Sequence, residues 1–544
     1  MKLDTEKFIL VFFFGLLLFI GPGTLFDHRI LHPFPYGYFS SDAFQHQTRA
    51  DWIKDAGNFR HEADYISRGL PNAAARYPPV IYHLAVMLSY SSGMETYDSI
   101  YFVVMFFMAL SPIAAYFLIR ILNKQVALLS LPLSILIFTQ PALVGVLNGH
   151  WPSLLAQSFL IVFAWSAARI ELRNSWLFMS IIFSAIFLTH ASEAVFGGVF
   201  TVFFFTPLLL ARHDKNILKS LLVFAALTFA VCAYYIEIFL NTWRITQPYV
   251  FGIEPLWDGG LGIYLGSFGL LLVIIGIGFF LSLTKLKEIH PSFIFGYSML
   301  LAGFMNYAGF GFRSFQLRLF WPIYFAVFFG FGAYLAIRFF YKNSSFYHFF
   351  GLFAVLTIII AGVIPIPGIL HYTPFHDNGI MNPYHWNALK WISEKTEKNA
   401  SIYFFYGVIY SQDALLRNSK RIHTQVDTEG MQKSLDKKTI ERYYVSEIPG
   451  DNGGGIRQRL GFFNYIDLEK IQPSGHFFGP MDICSFDYLV IDKLPQQVPL
   501  INYNLLIASE LLKNDFVSKV FENEVVMVLK NGKPKSSCIR ETTF

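Results

Sequence analysis

Residues 40–79 read SSDAFQHQTRADWIKDAGNFRHEADYISRGLPNAAARYPP. The stretch follows a first very apolar segment and precedes a long series of further apolar segments. It gathers Asp42, His46, Asp51, Asp55, His61, Glu62 and Asp64, whereas the apolar segments around it hold almost no charge. Read as helix from Asp42, a spacing of four puts Asp42 and His46 on one face, a turn apart. Trp52, Ile53, Ala56, Phe59, Ala63 and Ile66 also recur at helical intervals, which predicts an amphipathic helix lying in a membrane interface. A carboxylate and an imidazole on such a helix suit chemistry on a lipid-borne substrate.

The rest of the chain fits that setting. Of its 544 residues 54% are hydrophobic, 18% aromatic and only 15% charged, with a mean hydropathy of +0.44. That balance is the signature of a polytopic membrane protein. The net charge of +5 does not point to nucleic acid. Within the apolar part the basic residues sit mostly in short loops between spans, where they set topology. Cys232, Cys484 and Cys538 have no metal-ligand spacing. Cys484 and Cys538 can pair only on an oxidising side, and ordinary free thiols are the expectation.

Lys2 and Lys7 precede an apolar run over 8–26 without a small-residue cleavage site, which reads as a retained first helix. Its lysines place the N-terminus in the cytoplasm and the Asp42 loop outside. Residues 77–92, opening with Pro78-Pro79, read as a re-entrant or interfacial segment. Spans are expected near 98–119, 125–147, 152–168, 175–189, 195–211, 220–240, 261–283, 291–309, 319–337 and 347–367, which with the first makes about eleven. Arg120/Lys124, Arg169/Arg173, Arg212/Lys215/Lys219, Lys285/Lys287 and Arg338/Lys342 then all fall on alternate, cytoplasmic turns. The long apolar stretch 175–211 is divided where His190 and Glu193 interrupt it.

Charge becomes frequent after Leu370. The chain is therefore expected to hold a multi-span transmembrane domain over 1–371, with a first outer loop at 27–97, and a soluble extracytoplasmic α/β domain over 372–544. Residues 387–395 (NALKWISEK) read as an amphipathic helix, 402–406, 488–492 and 525–530 as strands, and 508–519 as a helix. The run 451–455 (DNGGG) lacks the strand and helix of a phosphate loop and reads as a turn.

With this topology the outer face collects Asp42 and His46, then Asn148-Gly149-His150-Trp151, then Thr189-His190 with Glu193. Trp243, Arg244, Glu254, Trp257 and Asp258 follow, and then Arg313 and Arg318. A charge near the bilayer centre costs about 2.5–3.5 kcal/mol on insertion scales, so ion-coupled transporters keep the few they use. Their near absence points away from ion coupling and towards a site at the outer surface. Each element also has a plainer reading: Asp42 as a helix cap, His150 and His190 as interfacial end-caps, and the arginines as headgroup anchors. Their joint occurrence on one face is what favours a site.

Asp42-Ala-Phe-Gln-His46, an amphipathic stretch, and then residues 77–84 (YPPVIYHL) resemble the first outer loop of GT-C superfamily membrane glycosyltransferases. That superfamily includes oligosaccharyltransferases, protein O-mannosyltransferases and aminoarabinose transferases. The layout is similar as well: a first helix, a large outer loop, a Pro-Pro segment, many spans and an outer α/β domain. The resemblance implies a donor sugar on a polyprenyl phosphate or pyrophosphate, with Asp42 matching the carboxylate at the reaction centre. Where oligosaccharyltransferases carry a second acidic motif, this chain has Asn148-Gly149-His150, and no WWDYG-like motif occurs. Sequon glycosylation and a divalent cation both stay open.

Transfer from a lipid phosphate needs a base for the acceptor and cations for the departing phosphate. Asp42 is the candidate base, with His46 orienting it or binding donor. Arg313 and Arg318 are the candidate phosphate clamp, and His150, His190 and Glu193 line the site. The expected partners are a polyprenyl-phosphate sugar donor, a lipid, glycan or protein acceptor, and the bilayer. The competing readings are a polysaccharide polymerase, ligase or lipid-sugar translocase of another fold, and a non-catalytic anchor for the outer domain.

Overall fold

The computed structural model describes residues 5–21, 32–59, 62–66, 78–138, 142–243, 246–248, 268–285, 288, 290–308, 319–340, 349–353, 356, 379–425, 436–437, 439–440, 442–446, 457–459, 464–467, 479–539 and 542–543. Helix α1 (Thr5–Ile20) is followed by α2 (Ser41–Ala56), α3 (Val80–Ser92) and α4 (Thr96–Arg120). Then come α5 (Lys124–Ser130) and α6 (Ala142–Leu147), separated by a 3-10 turn at Leu131–Phe138. Pro132, which has no N–H to donate, sits where α-helix gives way to 3-10. The apolar helices continue as α7 (Trp151–Ala167), α8 (Ser175–Phe187), α9 (Ala191–Arg212), α10 (Lys215–Trp243), α11 (Leu271–Leu283), α12 (Pro291–Gly303) and α13 (Trp321–Phe340).

Among the described residues four helical stretches are long and apolar enough to cross a membrane: Thr96–Arg120, Ala191–Ala211, Lys215–Ile236 and Trp321–Phe339. The break at His190 is present, because α8 ends at Phe187 and α9 begins at Ala191. Most of 347–367 lies outside the described residues. Apolar side chains face outward on these helices, Phe229 and Phe280 among them, as a lipid-facing surface requires. At the end carrying the N-terminus, Glu6 accepts from Arg120 Nε at 2.6 Å and pairs with Lys124 Nζ at 2.6 Å. This ties the start of α1 to the end of α4.

The long amphipathic helix expected through Ile66 does not form. Helix α2 stops at Ala56 because Gly57 takes the left-handed conformation (φ 67°), its N–H bonding back to Ile53 O at 2.9 Å. Nor is α2 a simple amphipathic helix, since it buries His46, Gln47, Thr48 and Arg49 within the protein.

Towards the C-terminus, helix α14 (Pro383–Lys395) starts at Asn382, whose side chain accepts from Tyr384 N and His385 N. Strands β1 (Ser401–Phe404), β2 (Ile422–Gln425), β3 (Tyr488–Asp492), β4 (Val517–Glu522) and β5 (Val526–Asn531) form a five-stranded mixed sheet in the order β4-β5-β3-β1-β2. β1 pairs parallel with β2 and β3, while β5 pairs antiparallel with β3 and β4. The helix expected at 508–519 is displaced: α15 spans Val498–Leu512, with Pro499 in its first turn, and Val517–Glu522 is strand. The apolar residues Val517 and Phe521 serve pairing with β5 better than a further helical turn. Cys484 and Cys538 form a disulfide with their Cα atoms 5.3 Å apart, which corrects the expectation of free thiols.

This region packs on Tyr38, on α2 and on the start of α4. Ile380 N donates to Tyr38 O at 2.8 Å, the Trp386 ring meets the Tyr97 ring edge-on at 5.6 Å, and Lys420 pairs with Asp55 of α2. Residues 451–455 and 254–258 lie outside the described residues.

Candidate functional site

Ser40 is in extended conformation before α2, so it occupies the cap position and Asp42 falls within the first turn. An acidic side chain there is favoured by the positive end of the helix dipole. The Asp42 carboxylate is partly exposed and accepts from Gln45 Nε2 at 3.3 Å. One turn on, His46 is buried, its Nδ1 2.9 Å from the Tyr82 hydroxyl of α3 and its ring 6.3 Å from that of Trp151.

The turn between α6 and α7 seats directly on this first turn of α2. Gly149 has φ +74°, and a Cβ added there would lie 2.4 Å from Ala43 N and 2.8 Å from the Asp42 carbonyl carbon. Only glycine combines that backbone with so close an approach. The turn delivers His150 to the start of α7, where Trp151 follows, wedged among Tyr38, Tyr101 and His46, its indole N–H donating to Val146 O at 2.9 Å.

The turn between α8 and α9 arrives at the start of α3. Val80 N of α3 donates to Leu188 O at 2.9 Å, and His190 occupies the cap position of α9. Burial pushes the His46 imidazole well below its usual range, and the positive fields of Arg49, His190 and His150 push the same way against a backbone hydrogen bond at Gly149. His46, His150 and His190 therefore share one neighbourhood, and His46 is neutral at physiological pH.

Glu193 follows His190 by one turn, its N–H bonding to His190 O at 3.1 Å. It is buried and accepts from Ser153 Oγ at 2.7 Å and Gln157 Nε2 at 3.4 Å, both on α7. Asp42, His46, His150, His190 and Glu193 are thus gathered where α2, α3, α7 and α9 begin or cross. Arg313 and Arg318 lie outside the described residues. Among the described residues no group of three or more His, Cys, Asp or Glu side chains is placed to hold a metal ion.

Sequence reasoning missed Tyr82, Ser153 and Gln157, which are neutral and so carry no charge signal. A signal was available for two of them. Ser153 and Gln157 stand four apart inside an apolar run, and polar groups on one face of a span ask for a partner. It also missed the buried ion pair between Arg49 Nε and Glu62 Oε1 at 2.7 Å, which ties α2 to the chain that follows it.

No protein-family model matches the chain, and no curated protein does. Among solved structures it is similar to the apo oligosaccharyltransferase of Archaeoglobus fulgidus, with a TM-score of 0.52 and 12% identity over 80% of this chain and 66% of that one. The same oligosaccharyltransferase tethered with an acceptor peptide containing the NVT sequon gives a TM-score of 0.51 at 12% identity, over 79% and 64%. ArnT from Cupriavidus metallidurans in the apo state gives 0.51 at 12% identity, over 97% of this chain and 98% of that one. The chain spans 66% of the oligosaccharyltransferase's length but nearly all of ArnT's. Identity this low carries the fold and leaves the chemistry to the site. The chain is an integral membrane protein that shares its fold with the archaeal oligosaccharyltransferase and with ArnT.

Proposed function

We propose that the protein transfers a sugar from a polyprenyl-phosphate-linked donor to an acceptor at the outer membrane face. The reading places the N-terminus in the cytoplasm, about eleven spans up to residue 371, and residues 372–544 outside as a soluble α/β domain. A disulfide between Cys484 and Cys538 suits an oxidising compartment. The observation that carries the proposal is the Asn148-Gly149-His150 turn seated on the first turn of α2. It packs two outer loops against each other beside Asp42, while the field at His46 ties in the third.

In this reading the acceptor's oxygen or nitrogen attacks the anomeric carbon as Asp42 accepts its proton. The bond from that carbon to the phosphate oxygen breaks, and its electron pair leaves with the polyprenyl phosphate. Neutral His46, fixed by Tyr82, orients the donor or Asp42. His150, His190 and Glu193 bind the donor, and Arg313 and Arg318 stabilise the departing phosphate. A divalent cation, if one is bound, would add Lewis-acid stabilisation of the phosphate, and each role assigned above stands without it.

The test is turnover by full-length protein in lipid nanodiscs, supplied with polyprenyl-phosphate sugars and lipid, glycan or peptide acceptors. Acceptor-dependent release of polyprenyl phosphate is expected. An anchor for the outer domain would release none with any pairing, and a translocase would move the lipid across vesicles without cleaving it.

A further inference from the structure

Helix α7 carries Gln157 fully buried in the apolar interior. Its amide nitrogen donates to Ser153 Oγ at 3.1 Å and to Glu193 Oε1 at 3.4 Å. Its amide oxygen accepts from the Phe320 backbone N–H at 3.2 Å and from the Tyr324 hydroxyl at 3.4 Å. Phe320 is itself the residue that starts α13, because its carbonyl accepts from Ile323 N at 2.9 Å and Tyr324 N at 3.2 Å. One side chain therefore joins α7, α9 and the first turn of α13.

The chemistry of the link is specific. A carboxamide is an uncharged group that offers donors at one end and an acceptor at the other. A carboxylate would oppose Glu193, and an apolar side chain would leave the Phe320 N–H without this partner in a buried place. Turning the amide over would set donor against donor at Phe320. The Leu319 side chain beside this junction packs on Gly145 of α6, the helix that leads into the Asn148-Gly149-His150 turn.

We infer that Gln157 is a positioning residue of the site: it holds Glu193, and with it the His190 end of α9, at a fixed distance from the start of α13. The inference rests on the reading that His190 and Glu193 line the donor site. Its role is geometric, so it acts on donor recognition through Glu193 and takes no part in proton transfer.

Gln157→Met, close in shape and apolar, and Gln157→Glu would be made in the full-length protein in nanodiscs. Gln157→Met should raise the donor KM about tenfold while kcat stays within about threefold and the unfolding temperature stays close to that of the parent. Gln157→Glu keeps the size of the side chain but sets a second carboxylate where the amide donates to Glu193, so its donor KM should rise at least as far as that of Gln157→Met. In a double-mutant cycle with Glu193→Gln, adding Gln157→Met should change KM by less than about twofold. Full additivity, or an unchanged KM in Gln157→Met, overturns the inference while leaving the site reading intact. If Glu193→Gln alone leaves the donor KM unchanged, the reading of Glu193 as a site residue fails and takes the inference with it. Should Gln157→Met not fold, Tyr324→Phe carries the same prediction at about threefold, with the same cycle deciding it.

Discussion

Helix α2 and strand β3 flank the spanning helices at opposite ends of the chain, and they bury different kinds of side chain. In α2 four consecutive polar residues, His46 to Arg49, are buried, and each has a partner: Tyr82, Asp51, the Phe44 carbonyl and Glu62. In β3 all five residues of the YLVID run are buried, and four of them are apolar or aromatic. Burying apolar area stabilises by about 25 cal/mol per Å², whereas a buried hydrogen bond nets only about 1 kcal/mol and is costly to leave unmade. The sheet is thus built for stability, and α2 for the placement of particular groups. Substitutions around the Asp42 end of α2 should lower activity more than stability, and substitutions around the sheet should do the reverse.

The largest effect on activity after the base itself is expected at Gly149. Gly149→Ala puts a Cβ against Ala43 N and strains a positive φ, so the turn must lift from α2. Transfer should fall by about a hundredfold or more, the scale of an ångström of misplacement, with a drop of only a few degrees in unfolding temperature. Gly57→Ala is the control. It has a similar φ of +67° but open space around it, so it should lose about 1–2 kcal/mol to backbone strain and keep its activity. Equal losses of activity in both would erase the contrast drawn above.

The sheet region makes the opposite prediction. The Cys484–Cys538 link closes a separation of 54 residues, for which the chain-entropy relation gives about 4 kcal/mol. Replacing both cysteines by serine should lower the melting transition of this region. Below that transition, turnover should match the parent's. A variant as stable as the parent would show that the sheet's own core suffices.

The interface between the two regions should be smaller in effect and dependent on pH. Burial pushes Asp51 of α2 up to about 6 from 3.8, although Lys420 and the Thr96 hydroxyl pull it back. For an acid whose pKa is raised by folding, the protonated form is favoured in the folded state. That stability is present below about pH 4 and is lost as pH rises through 6. Asp51→Asn should therefore gain on the parent by up to about 3 kcal/mol between pH 4 and 7.5, read from denaturation midpoints. A parallel pH profile for both proteins would show that Asp51 is not burdened by burial. Smallest of all, Lys420→Ala removes a half-exposed pair with Asp55 and should change stability by less than about 1 kcal/mol.

What was legible in the sequence follows the same division. Helices such as α4, α9 and α13 announce themselves by length and apolarity, and His190 marks its own break because a polar residue ends an apolar run. Asp42 and His46 stand out because they are charged or titratable in a chain with little of either. Shape was less legible. The stop at Gly57 was hidden by apolar residues that keep helical spacing beyond it, and the strand at Val517–Glu522 was hidden by a run that also suits a helix. The contact between Gly149 and Ala43, and the link from Gln157 to Phe320, join residues more than a hundred positions apart. No local pattern encodes such pairings, because they arise only when the helices pack.

The central claim is that Asp42 takes the acceptor's proton, and Asp42→Asn tests it most directly. The amide keeps the size and most of the hydrogen bonding of the carboxylate but cannot accept that proton. Release of polyprenyl phosphate would be followed in a single turnover, with binding of a polyprenyl phosphate measured on the same preparation. The account predicts a rate lower by about a hundred- to ten-thousand-fold with lipid binding within a few fold of the parent's. A variant that transfers at the parent's rate would contradict it and return Asp42 to the role of an acidic residue that only steadies the start of α2.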